Sequence, residues 1–177
     1  MKRLAFLVFT ALLTTGRVSA VVGAQVDTTD VKAAYVYNFA KFAEWPEFAP
    51  NDSIILCVLD DPQLAMALSV MTRGQRIGAH RLEVRTVGSV DGQACHILYV
   101  STRAGELAPI FQLLRGTPTL TVGDGQGFAA SGGMIELFAD GDRMRFAVNV
   151  AAVQRSSLKL SSRLLGLARI VKDDRAQ

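Results

Sequence analysis

The chain has 177 residues, half of them apolar, with 19 Lys and Arg against 16 Asp and Glu. That size and apolar content exclude a disordered chain and a multi-domain enzyme, and they suffice for one core-forming domain. The whole basic excess sits in the first 20 residues, as Lys2, Arg3 and Arg17, so the remainder is formally neutral and has no basic patch of the kind that binds nucleic acid.

Residues 1–24 read as a secretory signal peptide. Lys2 and Arg3 precede an apolar run from Leu4 to Leu13, and Val18-Ser19-Ala20 and Val22-Gly23-Ala24 are small-residue cleavage triplets. The run is shorter than the roughly 20 residues a membrane span needs. Cleavage after Ala20 or Ala24 leaves a mature chain that begins at Val21 or Gln25, is exported to a periplasm and keeps no stable membrane insertion. Residues 25–177 then form a single domain.

Thr28-Thr29-Asp30 offers helix-capping residues, and Val31, Ala34, Tyr35, Asn38, Phe39 and Phe42 follow at helical spacing. Pro46 disfavours helical backbone at Trp45, so this helix should end near Glu44. Ser53–Leu59 is a short run rich in Ile and Val, the pattern of a strand buried on both faces. Asp60-Asp61-Pro62 caps a second helix that runs to about Thr72. Strands are expected at Leu82–Val87, Ile97–Val100 and Thr119–Val122, with a helix from about Ala104 to Arg115. Met134–Phe138 and Met144–Val150 alternate about an Asp140-Gly141 turn, a hairpin signal. Two short helices, Ala151–Ser156 and Ser162–Lys172, complete the chain. Strands alternating with helices predict an α/β fold: a single three-layer domain whose mixed, mostly parallel sheet is flanked by helices, with a C-terminal β-hairpin and two short helices.

Little in this chain promises catalysis. Histidine is scarce, with only His80 and His96, no acid pair stands out, and the G-x-S-x-G elbow is absent. The expectation is a protein that is not an enzyme and has no catalytic residue. Cys57 and Cys95 admit three readings: a disulfide in an oxidising compartment, two free thiols, or a zinc site with His80 and His96. The zinc reading lacks close ligand spacing, so neither metal nor cofactor is expected. Gly123–Gly133 holds five of the 15 glycines and follows a buried strand, so its backbone N–H groups could approach an anion. A small-ligand pocket near Gly132, Gly133 and Asn149 is the weaker functional expectation. The stronger one concerns aromatics. Six of the 11 outside the leader lie between Tyr35 and Phe48. Tyr35, Tyr37, Phe42, Trp45 and Pro46 are the candidate partner-binding set, because Tyr and Trp are frequent interface anchors.

The segment VKAAYVYNFAKFAEWPEF (31–48) resembles the opening motif of the YfiR-like family of periplasmic proteins. The resemblance continues through CHILYVS (95–101), GFAASGGMIELF (127–138), RFAVNV (145–150) and LSSRLLGLARIV (160–171). It implies a repressor that binds the periplasmic part of an inner-membrane diguanylate cyclase, lowers cyclic di-GMP, and is released by stress or an outer-membrane protein partner. It also implies that Cys57 and Cys95 form a family disulfide. The second pair that better known members carry in the Gly-rich region is missing here. A homodimer is compatible with this reading, and a periplasmic small-ligand sensor is the alternative to it.

Overall fold

The structure is a computed structural model and describes residues 28–46, 52–90, 94–101 and 107–172. The expected leader, its cleavage sites and Phe48 lie outside these residues. Helix α1 (Thr28–Phe42) leads into strand β1 (Ala43–Glu44). Then come β2 (Ile54–Leu59), α2 (Pro62–Thr72), β3 (Arg76–Ile77), β4 (His80–Val87), β5 (Ile97–Val100), α3 (Leu107–Leu113) and β6 (Leu120–Gly123). The C-terminal part holds β7 (Ile135–Asp140), β8 (Arg143–Asn149), α4 (Val150–Arg155), β9 (Lys159–Leu160), α5 (Ser162–Leu165) and β10 (Arg169–Val171).

Eight strands form one sheet in the order β10-β8-β7-β6-β5-β2-β4-β3, and β1 pairs with β9 in a separate two-stranded ribbon. β4, β2, β5, β6 and β7 run parallel, whereas β3 is antiparallel to β4 and β8 is antiparallel to β7. The chain leaves β2 outward to β4, then crosses back to β5 on the other side of β2. Right-handed crossovers made in opposite directions place their helices on opposite faces. So α1 and α2 cover one face and α3 covers the other, as the two buried clusters show. Along β2 and β5 the side chains alternate between them: Leu56, Val58, Ile97 and Tyr99 face α1 and α2, while Cys57, Leu59, Leu98 and Val100 face α3.

Local signals account for most boundaries. The Asp61 carboxylate accepts from the Leu64 N–H at 3.0 Å, with Pro62 opening α2 behind it. The β7–β8 hairpin turns through Gly141 and Asp142, where Gly141 supplies the positive φ of 63°.

The last expected helix is corrected. Ser161 caps α5 by accepting from the Leu164 N–H at 3.3 Å, but the helix lasts one turn and does not reach Lys172. Residues 169–171 instead form β10, an edge strand parallel to β8. Leu164, Leu167, Ala168 and Val171 have helical spacing, and Leu164 and Ala168 reach the core, yet Leu167 is 75 % exposed, so the stripe is not buried along its length. The open backbone of β8 gives Ile170 and Val171, both β-branched, ladder partners that a solvated helix lacks. The first helix likewise stops at Phe42, because Ala43 and Glu44 pair with Leu160 and Lys159. α3 is shorter than expected among the described residues, which exclude 102–106.

Candidate functional site

α1 crosses the sheet with Ala33, Val36, Phe39 and Ala40 buried beneath it. It is fixed at both ends. Near its start, the Lys32 ammonium pairs with the Asp124 carboxylate just past β6, at the carboxyl ends of the parallel strands. Near its exit, Trp45 Nε1 donates to the His96 carbonyl at 3.2 Å, where β5 begins, and the indole lies edge-on to the His96 ring at 5.6 Å. The helix therefore runs antiparallel to the strands and is clamped across their length.

This clamp sorts the aromatic set. The Tyr35 phenol donates to the Met144 carbonyl at 2.7 Å, and its ring packs against Phe39 and Phe146 at 5.8 and 6.0 Å. Tyr35, Tyr37, Phe42 and Trp45 all pack in part against the core. Pro46 is exposed. The solvent side of the helix exit consists of Asn38, Lys41, Glu44 and Pro46, with the half-buried Tyr37 among them. The Lys41 ammonium sits 4.0 Å from the centre of the Tyr37 ring, one turn away, a cation–π pair at the surface. The five candidate residues thus share one region but not one role. Tyr35 and Trp45 are bonded into the body of the protein, while Tyr37 and Pro46 face outward beside two opposite charges.

Cys57 and Cys95 are bonded to each other, with Cα atoms 5.8 Å apart, so neither is a zinc ligand. The bond ties β2 to the residues entering β5. Next to it, the His96 Nδ1 accepts from the Ile55 N–H at 3.0 Å, and the His96 N–H donates to the Ile55 carbonyl at 2.9 Å. Accepting at Nδ1 requires a neutral ring with its proton on Nε2. Burial lowers the His96 pKa from 6.5, with Asp52 opposing and His80 assisting. The unfolded chain therefore takes up a proton at a higher pH than the folded one, and stability is lost as pH falls from about 6.5 toward the folded value. The melting temperature should drop over that interval, and His96→Gln should flatten the drop. A profile for His96→Gln as steep as the native one contradicts this.

The Gly-rich loop is built around a ring. Phe128 is 1 % exposed, and a Cβ at Gly133 would lie 2.1 Å from it and one at Gly123 2.5 Å. The two glycines leave room for the ring between them. The buried Glu136 carboxylate accepts from the N–H groups of Gly127 and Ala129 at 3.2 and 3.0 Å. Asn149 is fully buried, donates to the Ala129 carbonyl at 2.8 Å and caps α4 by accepting from the Ala152 N–H at 2.9 Å. Gly132 and Asn149 meet at the Ala129 carbonyl, which accepts from the Gly132 N–H at 3.1 Å as well as from the Asn149 amide, whereas Gly133 faces Phe128; Gly132 also lines a cavity.

Sequence reasoning missed one polar cluster. Tyr99 is fully buried on β5, with its hydroxyl beside the Asp124 carboxylate. Burial first, then Asp124 and Asp61, push the phenol pKa up and keep it protonated. Lys32 and Asp124 stand 92 positions apart, so no local spacing could reveal their pairing.

A sequence profile described as YfiR/HmsC-like matches residues 29–169. The chain belongs to this family. Its opening helix, disulfide, Gly-rich loop and hairpin all fall within the matched span. Two solved structures are similar in shape. One, titled a conserved domain protein from Vibrio cholerae, aligns with a TM-score of 0.51 and 11 % identity, over 81 % of this chain and 60 % of that one. The other, titled an ABC domain in complex with L-Trp from Streptococcus pneumonia, has a TM-score of 0.49 and 9 % identity, over 66 % of this chain and 56 % of that one. The chain thus spans less than two thirds of either protein, and the Vibrio likeness is one of fold alone. No helix among the described residues is long and apolar enough to cross a membrane.

Proposed function

We propose that this YfiR/HmsC-like protein is a periplasmic regulator that represses an inner-membrane diguanylate cyclase by binding the cyclase's periplasmic part. The observation that carries this reading is the family match over residues 29–169. A repressor acts by binding the inactive state of its target more tightly than the active one, and it shifts the balance by that difference alone. Such a role needs a rigid recognition surface rather than a reactive group. The exit of α1 suits it: an immobilised helix end presents Tyr37, Lys41, Glu44 and Pro46 to solvent. Tyr35, Phe42 and Trp45 support that end from behind, so they enter recognition by holding it in place.

The surface is tested with the double variant Tyr37→Ala, Lys41→Glu in a host lacking the native gene. Tyr37 packs in part against the core, so the variant's melting temperature is measured beside repression, and only a folded, exported variant counts. We expect repression to be lost, with cyclic di-GMP as high as without the gene. Native repression by a normally exported, folded variant places the contact elsewhere. Trp45→Ala is the poorer probe, because it removes the bond to His96 and loosens the helix exit.

A further inference from the structure

A half-open cavity of about 290 Å³ lies between α3 and α4 on the α3 side of the sheet. Its apolar wall includes Phe111, Leu114 and Met134, and its rim carries Arg115 and Arg155. Phe111 is held edge-on against Phe128 at 5.1 Å, so that wall is backed by the ring the glycines enclose. Two hydroxyls reach the cavity and both are anchored in the fold. Thr121 Oγ1 accepts from the Met134 N–H at 3.0 Å, and Ser156 Oγ donates to the Val153 carbonyl at 2.7 Å. Both arginines are exposed, and no Asp or Glu among the described residues lines the cavity.

We propose that this cavity binds a small amphipathic carboxylate, with the acid group between the two guanidiniums and an apolar body against Phe111, Leu114 and Met134. Guanidinium recognises a carboxylate through paired N–H donors, which a neutral group does not match. The volume lies at the small end of ligand cavities, about 300–1,000 Å³, and so selects a compact metabolite over a peptide. Gly132 also lines the cavity, so a ligand there touches the Gly-rich loop at one point. The proposal does not rest on repression of a cyclase, and its readout on purified protein is blind to that reading.

The test is thermal denaturation of the purified mature protein with three probes: 3-phenylpropionate, its neutral amide, and inorganic phosphate. A ligand of the native state raises the melting temperature saturably with concentration. We expect that behaviour with the carboxylate, and affinities at least about tenfold weaker for the amide and for phosphate. The double variant Arg115→Gln, Arg155→Gln, measured against its own melting temperature without probe, should bind the carboxylate at least about tenfold more weakly. Any one of three results overturns the proposal: no saturable shift, phosphate as effective as the carboxylate, or native affinity in the double variant.

Discussion

Removing the Cys57–Cys95 bond lowers the stability of this domain by about 4 kcal/mol, the loop-closure entropy expected when a cross-link 38 residues apart is opened. Domains are typically stable by about 5–15 kcal/mol, so this is a large share of the total. For a domain of this size the loss lowers the melting temperature by about 8–16 °C. The location adds to the argument. Cys57 is buried on the α3 face of β2, beside Leu59, Leu98 and Phe111, and reduction leaves two thiols there with no covalent link between β2 and the entry to β5. The adjoining residues share the effect, since His96 bonds to both the N–H and the carbonyl of Ile55. Thermal melts of oxidised protein and of Cys57→Ser, Cys95→Ser measure it, and a difference below about 2 °C contradicts a stabilising role. No second cysteine pair exists to compensate, because these are the only cysteines in the chain.

Gly133→Ala should be the most damaging single methyl that can be added. The new Cβ would stand 2.1 Å from the Phe128 ring, which cannot retreat because Gly123 backs its opposite side and Phe111 meets it edge-on. Overpacking of this kind costs about 1–3 kcal/mol, and a ring confined on both sides places the cost at the upper end. Phe128→Leu relieves the clash but leaves space in a packed core, so it is destabilising by itself. The double variant Gly133→Ala, Phe128→Leu should lose less than the two single losses together, because each change makes room for the other. Urea midpoints of the four proteins decide the matter. Strict additivity, or a Gly133→Ala cost below about 0.5 kcal/mol, contradicts the ring-in-glycine arrangement.

These two predictions mark where sequence reading succeeds and where it stops. β2, β5 and α2 were legible because their signals are local: apolar runs buried on both faces, and an Asp-Pro cap. The hairpin was legible from Gly141 at its turn. The Gly-rich loop was visible as a feature but not in its purpose. Nothing in its composition distinguishes glycines that approach a ligand from glycines that admit a ring five residues away. β10 was misread because helical spacing says nothing about an unpaired strand edge waiting beside it. The aromatic cluster is visible in the sequence as a run of residues, but the division between Tyr35 and Trp45, which bond inward, and Tyr37, which carries the Lys41 cation, is a matter of tertiary contact. The link from Lys32 to Asp124 and the crowding of Tyr99 beside it join elements far apart in the chain.

The arrangement that results is a rigid plate. The disulfide and the His96 contacts fix β2 to β5, and α1 is clamped over them from Asp124 at one end to the His96 carbonyl at the other. A surface held this way loses little conformational freedom on binding, which favours tight association. It also explains why damage to the clamp should resemble damage to the surface itself, and why stability must be measured beside any loss of regulation.

Cellular cyclic di-GMP in the native host, with and without this gene, tests the central claim most directly. The account predicts a rise on deletion, reversed by the full chain but not by a copy lacking residues 1–24, the proposed export signal. Unchanged cyclic di-GMP on deletion, under conditions where the protein is produced, or full reversal by that copy, contradicts it.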